Sequence, residues 1–517
     1  MRVGVLNRRV LAQFVLLAWA GSLAWLARRE YGKDESATIA EATVRLNPEA
    51  NFFAVRAGSR QIGYASVTVD TIPGGFRLTE VMALDVPEAD SVRRVTRRTD
   101  VILSRSLRLR SFNRALTGGG LYEEFAGTIE GDTLLRMAQR DSRERPADEW
   151  TIRLAADVVL PEVLPYRLAF GKRLEVGRTV SANVLDLTTG TINRIEFAAT
   201  AESTFVVADS AVEQRPSGHW RPVTWDTVKA WRIEHAALGT PQVDWVDRNG
   251  GLVSTEAALG LRLERSAFEV VSFNYRIALD SAGPGEHRQV PAMTTLVEAN
   301  VAPPAGGAER AYRIENTPVE RFLMPRLAWL AGGRQAARDA EVRVGLEPAA
   351  RDSTKSDFLA PAAAIHPVPA SVAAAAAAIA PSESDPVRVA GALAKWVAAT
   401  VRRDAGMDAP LFSAHVLESG RGGAEGMTEL FVDLARARGL TARRVGGVAV
   451  IRGRNYGHTW AEILVSGQWH AVDPTFGQLP ASPTLVRVAP GGTGRAIDLL
   501  PFMGSATFAP ATTVTDR

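Results

Sequence analysis

Not one of the 517 residues is a cysteine. That absence rules out disulfides, cysteine-ligated zinc, iron–sulfur clusters and any thiol nucleophile supplied by the chain itself. An excess of one charge is missing as well. The 60 Lys and Arg stand against 57 Asp and Glu, a net charge of +3, and the arginines are scattered among acids instead of gathered into runs. The chain therefore carries no electrostatic footprint for nucleic acid. Walker A, GxGxxG, HExxH and GxSxG patterns are absent and the 7 His are dispersed, so neither a cofactor nor a metal ion is expected.

What is present is a composition of 46% hydrophobic and 23% charged residues, that of an ordinary globular protein. A single hydrophobic core stops growing at about 250 to 300 residues, so two or three domains are expected. Near the start, Arg2, Arg8 and Arg9 precede the apolar run Val10 to Ala27, which ends at Arg28 and Arg29. A bilayer takes about 20 apolar residues to cross, and the run is just long enough. A signal anchor with its N-terminus in the cytoplasm is expected over a signal peptide cleaved after Ala18-Trp19-Ala20. The apolar run continues beyond that site, and Trp25 sits near the far interface. Either way the rest of the chain is expected to lie outside the cytoplasm.

From about Asn51 the pattern alternates with period two. Ala65 to Val69 and Phe76 to Val81 flank Pro73-Gly74-Gly75, and Gln242 to Asp247 and Leu252 to Ala257 flank Asn249-Gly250-Gly251, two hairpin signatures. Further strands are expected at Asp100 to Leu109, Leu121 to Ile129, Thr191 to Ala199, Thr204 to Ala208 and Trp231 to His235. Leu134 to Arg140 and Val159 to Phe170 have the composition of helices. Residues 40–275 thus read as one large antiparallel sheet structure or two smaller ones. Pro303 to Gly307 and Ala331 to Ala370 read as connecting material, and the segment after Pro490 as loose. Ala373 to Ala378 suits a short helix. A better one follows Asp385, with Pro386 in its first turn and Val389, Leu393, Trp396, Val397 and Val401 at helical spacing.

The informative stretch is Gly420 to Pro480. A helix with Met427, Leu430, Phe431, Leu434 and Ala435 on one face stops at Gly439. Strands follow at Arg443 to Ile451, Thr459 to Val465 and Gln468 to Val472. Three blocks stand in order: LFVDLARARGLTARRV; His458-Thr459-Trp460-Ala461-Glu462; and Trp469-His470-Ala471-Val472-Asp473-Pro474-Thr475. This resembles the bacterial branch of the transglutaminase-like superfamily, of papain-type fold, whose core reads approximately GDCxExxxLFVALARAxGIPAR, then HxWxE, then WxxxDPT. The sequel Phe476-Gly477-Gln478-Leu479-Pro480 is also similar to that branch.

The resemblance implies a Cys at the start of the helix that attacks a glutamine or peptide-like carbonyl, a His that takes the thiol proton, and an Asp that orients the His. Counting back from Leu430, the Cys position falls on Ala424, while His458 and Asp473 map onto the other two. A methyl group has no lone pair and no proton to lose, so thiol catalysis is not available. Gly423 stands where Asp is common, Gly426 where Glu is common, and Leu485 where His is frequent. That pattern is drift of the site on a retained scaffold; an engineered Cys-to-Ala change is the other reading. Glu425 and Thr428 are poor substitute nucleophiles, since neither occupies the aligned position and Thr428 suits a local cap. A metal set of His458, Glu462 and Asp473 is possible in residue type, but the family geometry points Glu462 elsewhere.

The expectation is an α+β multidomain chain with an N-terminal transmembrane helix in 1–33, a β-rich antiparallel domain in 40–275 and a connecting region in 276–370. A transglutaminase-like α+β domain in 371–489 and a tail in 490–517 complete it. His458 and Asp473 are vestigial catalytic residues, and Ala424, Glu425, His458 and Trp460 line a cleft. The site reads either as a pair that only holds strands together or as a residual binding site. The leading function is a membrane-anchored, extracytoplasmic (periplasmic) pseudoenzyme that binds or scaffolds a polypeptide segment or a subunit of a membrane complex. The alternative is a protease, amidase or cross-linking enzyme whose native Cys is replaced by Ala424.

Overall fold

In the computed structural model the described residues run, with gaps, from 39 to 490 and again from 506 to 511. Outside them lie 1–38, 41–42, 44–45, 88–91, 172–173, 188–190, 236–241, 258–259, 282–293, 317–329, 349–362, 491–505, 512–517 and the single positions 47, 339, 365 and 407. The expected transmembrane run Val10 to Ala27 therefore falls outside the described residues. Among the described residues no helix is long and apolar enough to cross a membrane.

Alternation decides the architecture of the first part. In Leu252–Ala257 every second side chain is buried, and Phe53, Val55 and Ala57 turn inward from the strand Glu49–Ala57. Strands of this kind pair into one 16-stranded sheet, fifteen of them along a single path and the short Ala363–Ala364 beside Thr191–Ala208. From the edge strand Asp148–Arg153 it steps back through successive hairpins to Glu49–Ala57. It then passes to Leu261–Ser266, Leu252–Ala257, Gln242–Asp247, Trp225–His235, Thr191–Ala208 and Thr179–Asp186, ending at Val158–Val159. Pairing is antiparallel except at that last strand, which runs parallel to Asn183 and Val184. The sheet curls on itself, because Leu135 and Met137 near one end share a core with Val159 and Val184 near the other. Helix α1, Leu164–Gly171, lies in the same core through Leu164, Leu168 and Phe170.

The hairpin at Gly250 illustrates how local chemistry sets the turn. Gly250 has φ +81°, and a Cβ there would sit 2.8 Å from the Tyr166 backbone, while Asp247 Oδ1 accepts from the N–H groups of Asn249 and Gly251. Two expected strands, Thr191 to Ala199 and Thr204 to Ala208, are one continuous strand with a register shift between Ala199 and Ala201.

Four expectations are corrected. Asp100 to Leu109 is not one strand, since one strand ends at Ser104 and the next begins at Leu109, with Leu107 at φ +56° in the turn between. Leu134 to Arg140 is a strand, not a helix: it pairs with Leu121–Glu130 and buries Leu135 and Met137 completely, so sheet pairing overrides the helical propensity of Leu, Met and Ala. Val159 to Phe170 is helical only from Pro161, as a 3-10 turn running into α1. The connecting region and the tail are also more ordered than expected. Gln335–Arg338, Glu341–Val344, Arg310–Glu315 and Thr507–Pro510 form a four-stranded sheet in that order. Its Tyr312, Ile314, Val342 and Phe508 pack with Val448, Val450, Val486 and Val488. Helix α2, Phe268–Ser281, precedes this region and hydrogen-bonds back to the curled sheet from Tyr275 to Asp85.

The last part begins with α3, Ala370–Ala378, and α4, Pro386–Thr400, whose N-terminus is capped by Asp385 Oδ1 accepting from Arg388 N at 2.8 Å. Helices α5, Ser413–Ser419, and α6, Ala424–Ala437, follow. Helix α6 is buried along most of its length and lies on a four-stranded antiparallel sheet ordered Gln468–Val472, Arg454–Val465, Thr441–Ile451, Leu485–Pro490. The helix and first three strands stand where the sequence puts them; the fourth strand was not expected.

Candidate functional site

The site is assembled from the first turn of α6 and the middle of the Arg454–Val465 strand. Gly423 is the N-cap of α6 and offers no side-chain acceptor, so the first-turn N–H groups and the positive end of the helix dipole are left for whatever lies ahead of them. Ala424 opens the helix, 9% exposed, and Glu425 beside it is buried. One turn on, Thr428 is fully buried and donates to the carbonyl of Thr459 at 3.2 Å. That bond docks the start of the helix on the strand next to His458, and it replaces the local cap expected of Thr428.

His458 and Asp473 are both fully buried, and His458 Nε2 lies 2.9 Å from Asp473 Oδ2. Asp473 follows directly on the Gln468–Val472 strand, whose Val472 faces Ala461. Its carboxylate is fixed from the other side by Thr475 N, which donates to Oδ1 at 3.1 Å. A carboxylate on Nε2 keeps the proton on that nitrogen and leaves the lone pair of a neutral imidazole on Nδ1. Nδ1 is enclosed and has no hydrogen-bond partner among the described residues. The ring is held between Trp460, stacked at 6.3 Å with 21° between planes, and Phe476 at 5.8 Å. Opposite His458 stands Gly447, where a Cβ would lie 2.5 Å from the Trp460 ring and 2.2 Å from Val486 O. A side chain there would displace the wall of the site.

Of the residues foreseen, His458, Asp473 and Trp460 are thus gathered in one place. Glu462 is not part of it. It is held by Arg443, with Nη2 2.5 Å from Oε2, and by Arg487, with Nη1 3.2 Å from Oε1, and Arg443 in turn lies 3.7 Å over the Trp469 ring. Burial alone would raise the Glu462 carboxyl, but the guanidiniums of Arg443, Arg487 and Arg334 outweigh it and hold the group below the ordinary range. A metal set of His458, Glu462 and Asp473 is not assembled.

Several residues were missed. Exposed Arg403 reaches over Phe476 at 5.3 Å and donates to Thr475 O at 3.4 Å, placing a cation at the rim of the site. The segment before α5 packs so tightly on α6 that a Cβ at Gly426 would lie 2.2 Å from Pro410 O. That segment is itself held by the curled sheet, since Asp141 accepts from Leu411 N at 3.2 Å and lies 3.1 Å from His415 Nδ1. The space that a side chain at Gly426 would need is taken by backbone. Arg403, Pro410 and Asp141 carry no motif in the sequence, and only the fold brings them here.

Helix α6 thus packs against the strand that carries His458, and Asp473 meets that His from the end of the neighbouring strand. The family model of the transglutaminase-like superfamily matches residues 373–474, and this part of the chain is a transglutaminase-like domain. Comparison with curated proteins gave no match. Among solved structures, a β-barrel-like protein of a domain of unknown function from Brucella abortus aligns at 10% identity and TM-score 0.29, over 43% of this chain and 97% of that one. A cysteine-protease candidate from Cytophaga hutchinsonii aligns at 13% identity and TM-score 0.22, over 64% and 80%. A protease candidate from Parabacteroides distasonis aligns at 8% identity and TM-score 0.18, over 68% of this chain and 63% of its own.

Proposed function

We propose that the transglutaminase-like domain is catalytically silent and holds an extended polypeptide segment, in a protein anchored to a membrane through Val10 to Ala27 with the bulk of the chain outside the cytoplasm. The observation that carries the reading is the methyl group of Ala424 at the head of α6, a helix that Thr428 docks on the strand holding the buried His458–Asp473 pair. The base is kept and the atom it would activate is gone. The first-turn N–H groups of α6, which Gly423 leaves without a side-chain cap, suit a peptide carbonyl. Support for the anchor is the run of apolar residues bracketed by arginines.

The test is an assay of purified protein for amide hydrolysis and for glutamine–amine cross-linking, with His458→Ala alongside. The expected result is no turnover by either. Turnover that disappears in His458→Ala overturns the silent reading in favour of an enzyme with another nucleophile. Cross-linking mass spectrometry on intact membranes is expected to place a partner peptide near Ala424 and Arg403. The chain is expected to resist carbonate extraction; a soluble form beginning near Gly21 would show cleavage instead of anchoring.

A further inference from the structure

Helix α6 carries two acids with no part in the site above, Glu429 and Asp433, spaced so that both project from one face. The chain just before α3 brings His366 against them, and one ligand-type atom from each of the three lies within 4.8 Å of the others. His366 Nδ1 is 3.9 Å from Asp433 Oδ2. That is too long for a hydrogen bond. It is near the separation of two ligands on one ion, since bonds of about 2.0 to 2.2 Å at a tetrahedral angle put donor atoms about 3.3 Å apart.

Each of Asp433 and His366 keeps one buried polar atom without a hydrogen bond among the described residues. Asp433 is fully buried; its Oδ2 accepts from Ser413 Oγ at 2.6 Å, but its Oδ1 accepts no hydrogen bond, with Arg436 Nη1 standing off at 3.6 Å. His366 Nδ1 is also enclosed without a hydrogen-bond partner. Buried polar atoms left in this way carry a desolvation cost that a ligand removes. Arg444 engages one oxygen of Glu429, Oε2 at 3.1 Å. The two arginines offset part of the negative charge, which argues for moderate affinity.

We propose that His366, Glu429 and Asp433 bind one divalent cation of the zinc class. An imidazole with two carboxylates is a donor set that zinc accepts, and three protein ligands leave a fourth position for water. The expectation from sequence of no metal site is replaced at this place, because the His lies far from the acids along the chain. The ion ties two parts of the molecule together. The His366 ring packs edge-on against Trp150 at 5.3 Å, and Ala363 and Ala364, just before it, pair with Ile192 and Thr191 of the curled sheet. Glu429 and Asp433 belong to the helix that opens at Ala424. The cation thus fastens the cleft helix to the β-rich part.

The experiment uses the untagged full-length protein, stripped with chelator and titrated with Zn²⁺ by calorimetry, with Mg²⁺ as a parallel titrant. One Zn²⁺ per chain is expected, with a rise in Tm on loading and no saturable heat for Mg²⁺. His366→Gln and Asp433→Asn are each expected to weaken Zn²⁺ binding at least tenfold. Loss of the buried Asp433 charge can affect folding, so His366→Gln, with circular dichroism matching the parent, is the deciding variant. Co²⁺ substitution should give visible absorption bands that His366→Gln abolishes. Absence of saturable Zn²⁺ binding by the folded parent, saturable Mg²⁺ binding in its place, or undiminished Zn²⁺ binding in His366→Gln overturns the proposal.

Discussion

His458 Nε2 lies 2.9 Å from Asp473 Oδ2 in a pocket where both side chains are inaccessible to solvent. The geometry of the pair supplies a structural reason for its presence that does not depend on catalysis. Asp473 Oδ1 also accepts from Thr475 N, and the turn closes through two backbone hydrogen bonds between Asp473 and Gln478. Removal of the carboxylate would strand an imidazole N–H and a backbone N–H in the core. Leaving a buried donor unsatisfied costs about 1–3 kcal/mol, so Asp473→Ala is expected to lose about 2–4 kcal/mol in chemical denaturation. A loss below about 0.5 kcal/mol, the range of an uninvolved surface position, would show that the pair is not what holds the turn.

Glu462 predicts a pH dependence. Its folded pKa is depressed, since the surrounding guanidiniums outweigh burial. A depressed carboxyl contributes stability that is present in full above its unfolded value, about 4.3, and is lost as the pH falls through the lower folded value. Breaking such a buried pair costs about 3–5 kcal/mol, and Glu462→Gln is expected to cost that at neutral pH. The gap between parent and variant should then narrow in urea titrations below about pH 4.3. A gap that stays constant down to pH 3, or that closes on the alkaline side, would contradict the assignment.

The parts of this domain that were legible in sequence are those with local signals. Met427, Leu430, Phe431 and Leu434 recur at helical spacing, and the blocks around His458 and Asp473 come in order along neighbouring strands. The Glu462 cluster had no such signal, because Arg334 and Arg487 arrive from distant elements. Arg487 binds the carbonyls of Leu330, Ala331 and Gly332, and Arg334 those of Ser482 and Ala481. The same holds for Thr507–Pro510, a four-residue strand whose partner is Arg310–Glu315. Leu134–Arg140 was misread for the opposite reason: its residues suit a helix, and only its neighbour in the sheet decides otherwise.

Gly426 gives a test in which intrinsic propensity and packing oppose each other. In an ordinary helix interior, Gly to Ala stabilises by about 1 kcal/mol. Here the added Cβ would lie 2.2 Å from Pro410 O and 2.9 Å from Val416 Cγ2, so the α6 start and the segment before α5 must part. Gly426→Ala is expected to destabilise by about 1–3 kcal/mol, the usual range for overpacking. A gain in stability would mean that the Pro410 segment yields freely and that the space for the family's Glu is open.

The decisive reconstruction is Ala424→Cys. The new thiol would sit at the head of α6, where the helix dipole favours a thiolate, on a helix that Thr428 pins beside His458. In this variant His458, oriented by Asp473, is expected to take the proton. Thiolate formation asks only for that electrostatic setting, so alkylation near neutral pH should be faster than for an unperturbed thiol of pKa about 8.5. Turnover asks for more, because attack on an amide needs donors aimed at the developing oxyanion and room for the acyl group. Pro410 is packed against Gly426, and Gly423 supplies no side chain at the cap. A reactive cysteine with little or no amide hydrolysis or cross-linking is therefore expected. The measurement is alkylation rate against pH in Ala424→Cys, alone and combined with His458→Ala. The rate profile should shift toward that of a free thiol when the imidazole is removed. A profile like that of free cysteine in both backgrounds would show that the His458–Asp473 pair no longer serves the helix start, and efficient turnover would show that the cysteine was the whole loss.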